Sequence, residues 1–146
     1  MRKIILDGSR DKGIVMRTRQ VIEGCAPRDY ARQLVTIRDW LAGHFRFVRD
    51  PQGTECLELP QTLMAMIEKR SVATGDCDDA ATLSAAMCKA VGFPVALRIV
   101  AFYSPKSAYQ HVYTLAFNDG KAFDFDVTRP ARMLPPTVAK SFTYPV

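Results

Sequence analysis

The sequence predicts an α+β fold, and three observations point to it. Apolar residues recur at three- and four-residue intervals through the first seventy positions. The stretch 75–92, GDCDDAATLSAAMCKAVG, then reads as one small-residue, apolar helix. Extended runs follow it, two of them flanking Asn118-Asp119-Gly120, a strong hairpin signal. Helices first and antiparallel strands later segregate the two structures along the chain, as α+β domains do. The 146 residues fit a single domain, 1–146, with room for a core that needs no disulfide or metal.

Residues 2–7 alternate too little to assign and suit a short strand or an extended arm. Over 9–23, Ile14, Val15, Val21 and Ile22 have helical spacing, and Gly24 and Pro27 stop the run. A clearer helix covers 28–45, where Tyr30, Leu34, Ile37, Leu41 and Phe45 form a stripe that must be buried. Residues 45–48 read as its extended exit, and Asp50-Pro51-Gln52-Gly53 as a turn. A further helix spans 61–70, with a basic last turn that suits the helix dipole. Residues 71–75 connect it to the cysteine-bearing helix, which runs from Cys77 to about Val91 and stops at Gly92, Phe93 and Pro94. Strands are expected over 95–103, 109–117 and 122–128. The tail from Arg129 carries Pro130, Pro135, Pro136 and Pro145, so it cannot form a central strand and is expected to wrap the surface.

Composition narrows the function classes. Hydrophobic residues at 48% and charged residues at 24% are ordinary globular values, and no apolar run is long enough to span a bilayer. A net charge of +5 permits contact with acidic polymers, but nine of the twenty Lys and Arg precede residue 40 and interleave with apolar residues as a solvated helix face does. A nucleic-acid partner is therefore not expected. The N-terminus lacks the apolar core of a secretory signal, and Cys25, Cys56, Cys77 and Cys88 show no paired spacing. Reduced thiols in a cytoplasm are the simpler expectation. Cys77 and Cys88 lie eleven residues apart on one helix, about 16 Å, too far to bridge. Neither metal nor cofactor is expected. The cysteines and histidines lack zinc-ligand spacing, and Asp76, Asp78 and Asp79 do not follow a calcium-loop pattern.

Cys77 stands where a glycine-led turn hands over to a helix. Unpaired N–H groups of a first helical turn favour thiolate over thiol and could bind a developing oxyanion. Asp76, Asp78 and Asp79 suit the same helix end but oppose that charge. His111 and Asp126 lie on the two arms of the hairpin. With Asn118-Asp119 as the loop they are directly opposite; with Asp119-Gly120, His111 faces Thr128 and Asp126 is its diagonal neighbour. Both registers put them on one face, and Asp124 shares that parity. Such a trio supplies nucleophile, general base and orienter. Gln61 and Trp40 are weak candidates for a second oxyanion donor. Cys88 reads as core packing, and His44 as a polar helix-end residue.

GDCDDAATLSAAMCKAVGFP, His111 with Val112-Tyr113, and FDFDVT together resemble the transglutaminase-like superfamily of papain-type thiol enzymes. The resemblance covers about residues 75–128 and marks Cys77, His111 and Asp126 as the triad, because Asp126-Val127-Thr128 matches the family's D-x-T and Asp124 does not. It implies a helix packed on an antiparallel sheet, and activities ranging over peptide hydrolysis, amide transfer and deamidation. The expectation is a cysteine-dependent acyl-transfer enzyme acting on a protein or peptide through a Cys77 thioester. A non-catalytic interaction module on the same scaffold is the rival from another class.

Overall fold

The computed structural model describes residues 1–51, 53, 56–128 and 137–146. Helices α1 (Arg2–Gly8), α2 (Lys12–Ile22) and α3 (Tyr30–His44) lead into a short strand β1 (Phe45–Phe47). Helix α4 (Pro60–Arg70), strand β2 (Ala73–Gly75) and helix α5 (Cys77–Ala90) follow. Strands β3 (Val95–Ala101), β4 (His111–Asn118), β5 (Lys121–Phe125) and β6 (Lys140–Pro145) complete it. Strands β1 and β2 pair in parallel, and the other four form an antiparallel sheet in the order β5-β4-β3-β6.

Helix α5 is the axis of this architecture. Its residues from Asp79 to Cys88 are all buried, with α1, α2, α3 and α4 packed on one side and the sheet on the other. A helix enclosed on every side needs apolar residues all round, and the alanines at 80, 81, 85 and 86 let its neighbours approach closely. Its buried hydroxyls are all used: Thr82 and Ser84 donate to carbonyls one turn back, and Thr114 of β4 donates to the Ala81 carbonyl at 2.7 Å. That last bond shows which sheet face meets the helix. Leu97, Thr114 and Phe125 share a row on it.

Three expectations about the chain's shorter pieces are corrected. Residues 2–7 are neither strand nor arm but part of α1, held by burial of Ile5 against α5 and by the Lys3–Asp7 pair one turn apart. Two helical turns are too few for periodicity to announce them. Residues 73–75, expected as plain connection, pair with β1. In the tail, residues 140–145 form an edge strand instead of a surface wrap, while Pro130, Pro135 and Pro136 lie outside the described residues. Phe142, Thr143 and Tyr144 favour a strand, and Pro145 sits where an edge tolerates it. Gln52 of the expected turn also lies outside the described residues. Among the described residues no helix is long and apolar enough to cross a membrane.

Candidate active site

The N-terminus of α5 is fastened from several directions. Asp76 is its N-cap, and the Asp76 carboxylate accepts the Asp78 N–H at 3.1 Å. Asp79 reciprocates, accepting the Asp76 N–H at 3.3 Å through Oδ2, which completes a capping box. Its other oxygen accepts the Glu58 N–H at 2.7 Å, tying the segment before α4 to the same turn. The carboxylate of Asp79 lies so close to the Gly75 backbone that a Cβ at position 75 would overlap it. This is why a glycine precedes the turn. Cys77, the first residue of α5, is thereby placed on a rigid corner, half-buried and outside any disulfide.

The hairpin supplies the partners. Asn118 pairs with Lys121, so the two-residue loop is Asp119-Gly120, and both have positive φ (48° and 75°), as a type I′ turn demands. Of the two registers open from sequence, this one makes Asp126 the diagonal neighbour of His111. The His111 Nε2 lies 2.9 Å from Asp126 Oδ2, and the two side chains are 15% and 4% exposed. Thr128 Oγ1 donates to Asp126 Oδ1 at 3.1 Å, so both carboxylate oxygens are engaged. Asp124 acts on the backbone instead, where its Oδ1 accepts the Asp126 N–H at 2.8 Å and shapes the chain. The aromatic rings of Phe102 and Tyr113 flank the imidazole at 6.0 and 5.9 Å.

Nε2 is committed to Asp126, and the ring lines the same cleft as the Cys77 side chain, which also acts on its charge. Burial pulls the imidazole pKa down, but the hydrogen bond and charge of Asp126, with those of Cys77, outweigh it and raise the value from 6.5 to about 9. His111 is thus an imidazolium at neutral pH. The aspartates beside the thiol respond oppositely. Burial first, then the neighbouring Asp76 and Asp79, push the Asp78 carboxyl up to about 7, and burial also raises Asp79. Their opposition to a thiolate is therefore weaker than three formal charges suggest.

Of the three residues the sequence singles out, Cys77 and His111 line one cleft and Asp126 bonds the imidazole. Cys88 is fully buried, and burial drives its thiol pKa far up. His44 hydrogen-bonds the Trp40 carbonyl at 2.7 Å and stacks on the Trp40 ring. A cleft of about 370 Å³ opens beside the thiol, lined by Met1, Asp76, Cys77, Asp78, Ile99, Tyr109, Gln110, His111 and Val112. Gln61 and Trp40, the weak candidates for a second oxyanion donor, are not among these residues. Ile99 went unread as a cleft residue because only the sheet register carries it there, and Tyr109 and Gln110 because they lie in the irregular segment that leads into β4. Among the described residues, Asp76, Asp78 and Asp79 form the one group of three potential metal ligands that converge, within 4.8 Å of one another. Both oxygens of Asp79 accept backbone N–H groups, which accounts for it as a helix cap.

Comparison with known proteins agrees with this fold. A family model described as the transglutaminase-like superfamily matches residues 16–126. No curated protein matches in sequence at a significant level. Among solved structures, a candidate cysteine protease from Cytophaga hutchinsonii has a similar fold, with a TM-score of 0.59 and 20% identity. The match covers 88% of this chain and 41% of that one, so this chain spans less than half of that protein's length.

Proposed function

The chain belongs to the transglutaminase-like superfamily, and from that premise we propose that it is a cysteine-dependent acyl-transfer enzyme, a peptidase or an amide transferase. The observation that carries the reading is the His111 imidazole bonded to the Asp126 carboxylate and lining one cleft with Cys77. The kinship with a protein named as a candidate cysteine protease supports the same class.

The reaction follows from the charge states. The reactive form pairs the His111 imidazolium with Cys77 as its thiolate, the nucleophilic form of a cysteine. The thiolate adds to the carbonyl carbon of an amide, and the oxygen takes up negative charge next to the Cys77 N–H, which has no partner within the helix. The imidazolium gives its proton to the leaving nitrogen, the C–N bond breaks, and a thioester on Cys77 remains. Forming the thioester removes the thiolate charge that helps hold the imidazole pKa up, so His111 becomes a better base when one is required. It then takes a proton from water or an incoming amine as that nucleophile adds. Collapse yields an acid or a new amide and restores the thiolate and imidazolium. Asp126 keeps the ring oriented throughout, with Thr128 fixing the carboxylate.

Acyl trapping tests this. With N-acetyl-phenylalanine p-nitrophenyl ester, a burst of p-nitrophenolate should accompany a mass increase that maps to Cys77, and His111→Ala should abolish the burst. Acylation that falls equally on the exposed Cys56 would overturn the assignment.

A further inference from the structure

The sheet's β6 edge carries a feature that the chemistry above does not use. In register across the sheet, Val112 of β4 pairs with Ile99 of β3, and Ile99 pairs with Phe142 of β6. Paired residues of an antiparallel sheet point to the same side, about 5 Å apart. Val112 and Ile99 line the cleft beside Cys77, so Phe142 continues the cleft wall outward to the open edge. Two residues on, Tyr144 pairs with Leu97, on the side that faces α5. Phe142 is nonetheless 53% exposed and Tyr144 42%. Closer to the cleft mouth, Lys140 Nζ lies 4.6 Å over the ring of Tyr109, another cleft residue.

Two large aromatic side chains at alternate positions of an edge strand are a hazard that folds usually avoid. Here the two ends of β6 are guarded, by the charge of Lys140 and by Pro145, while residues 141–144 are open. Among the described residues nothing pairs with the outer edge of β6. A four-residue window suits one short extended chain and is too short to seed a sheet. The period of the exposed aromatics, two residues, is that of an extended peptide.

We propose that the β6 edge is the docking strand for the substrate: an extended peptide segment adds alongside residues 141–144, rests side chains on Phe142 and Tyr144, and is thereby led into the cleft that holds Cys77. Continuity with that cleft selects a substrate peptide over other occupants, and the proposal rests on Cys77 being the reactive nucleophile. An added strand would lie about 5 Å beyond β6 and use outward backbone groups that no strand among the described residues pairs with, so affinity comes from main-chain hydrogen bonds and sequence preference from alternate side chains.

The test compares two kinds of alkylation of Cys77 in the full chain. Iodoacetamide reads the nucleophile alone. A panel of acetyl-tetrapeptide chloromethyl ketones, with aliphatic, aromatic, acidic or basic residues at alternate positions, reads nucleophile and docking together. The expected result is that members with aliphatic or aromatic residues outpace iodoacetamide. N-methylation of one outward-pairing peptide nitrogen should slow them about fivefold, and Phe142→Ala roughly tenfold, while the iodoacetamide rate stays unchanged. If no member gains over iodoacetamide, or if N-methylation and Phe142→Ala leave the ratio unaltered, the docking proposal is overturned although the nucleophile stands. Lack of Cys77 selectivity toward iodoacetamide would instead remove the underlying functional reading. Concentration-dependent dimers dissolved by Phe142→Lys would identify a second copy of this chain as the occupant and overturn the proposal as well. Because N-methylation alters only the reagent, the outcome does not depend on how a variant folds.

Discussion

Replacing Asp126 by Asn keeps the shape of the side chain and removes its charge, and the consequence can be worked from the imidazole. In the folded protein the His111 pKa stands at about 9 against an ordinary 6.5. That rise is equivalent to about 3 kcal/mol of preference for the charged ring. Asp126 supplies the larger share, its hydrogen bond being the largest of the contributions that raise the value against burial, with Cys77 adding the rest. A raised histidine pKa stabilises the fold fully below pH 6.5, and this contribution fades as pH rises through about 9. Asp126→Asn should therefore cost about 3 kcal/mol at pH 6 and far less at pH 10. Urea unfolding of both proteins at the two pH values measures it. The side chains are 15% and 4% exposed, so solvent screening removes little. The alkaline fall in Cys77 alkylation selectivity, expected near pH 9 in the unaltered chain, should move down in the variant. An equal cost at pH 6 and pH 10 would refute the reasoning, because it would make Asp126 a packing residue and not the partner of an imidazolium.

Other changes separate scaffold from chemistry. Gly75→Ala should displace the Asp79 carboxylate, lose the capping box and cost roughly 2 kcal/mol in urea unfolding, with slower Cys77 alkylation. Thr114→Val should cost about 1 kcal/mol by freeing the buried Ala81 carbonyl, yet leave the Cys77 alkylation rate as it was. Asp78→Asn should speed alkylation of Cys77 more at pH 8 than at pH 6, since the Asp78 carboxyl ionises near pH 7 and only then opposes the thiolate; iodoacetamide rates at both pH values check this.

The long elements were readable because each carries its own pattern. The stripe from Tyr30 to Phe45 and the alanine-rich run after Cys77 need no outside information to be read as helices, and parity alone put His111 and Asp126 on one face. What could not be read depends on partners far away in sequence. Helix α1 exists because Ile5 finds α5, and β2 because it meets β1. The choice between Asp126 and Asp124, which share a face in either hairpin register, needed the D-x-T resemblance; in the structure the 2.9 Å contact of Asp126 with His111 distinguishes them. Asp79 looked like one of three similar charges, whereas in the fold it is the buried fastening of the Cys77 turn. The cleft itself was illegible, since Ile99 and Val112 reach it only through strand pairing and Tyr109 only through the path of the segment before β4.

Competitive alkylation of the four cysteines tests the central claim most directly. Brief treatment of the folded protein with limiting iodoacetamide near pH 7, followed by peptide mass mapping, gives the modification rate at each site. Cys77, though less exposed than Cys56, should react first, and His111→Ala should erase this preference. Modification of Cys77 no faster than Cys25 or Cys56, or a preference that survives His111→Ala, would contradict a nucleophile activated by its histidine.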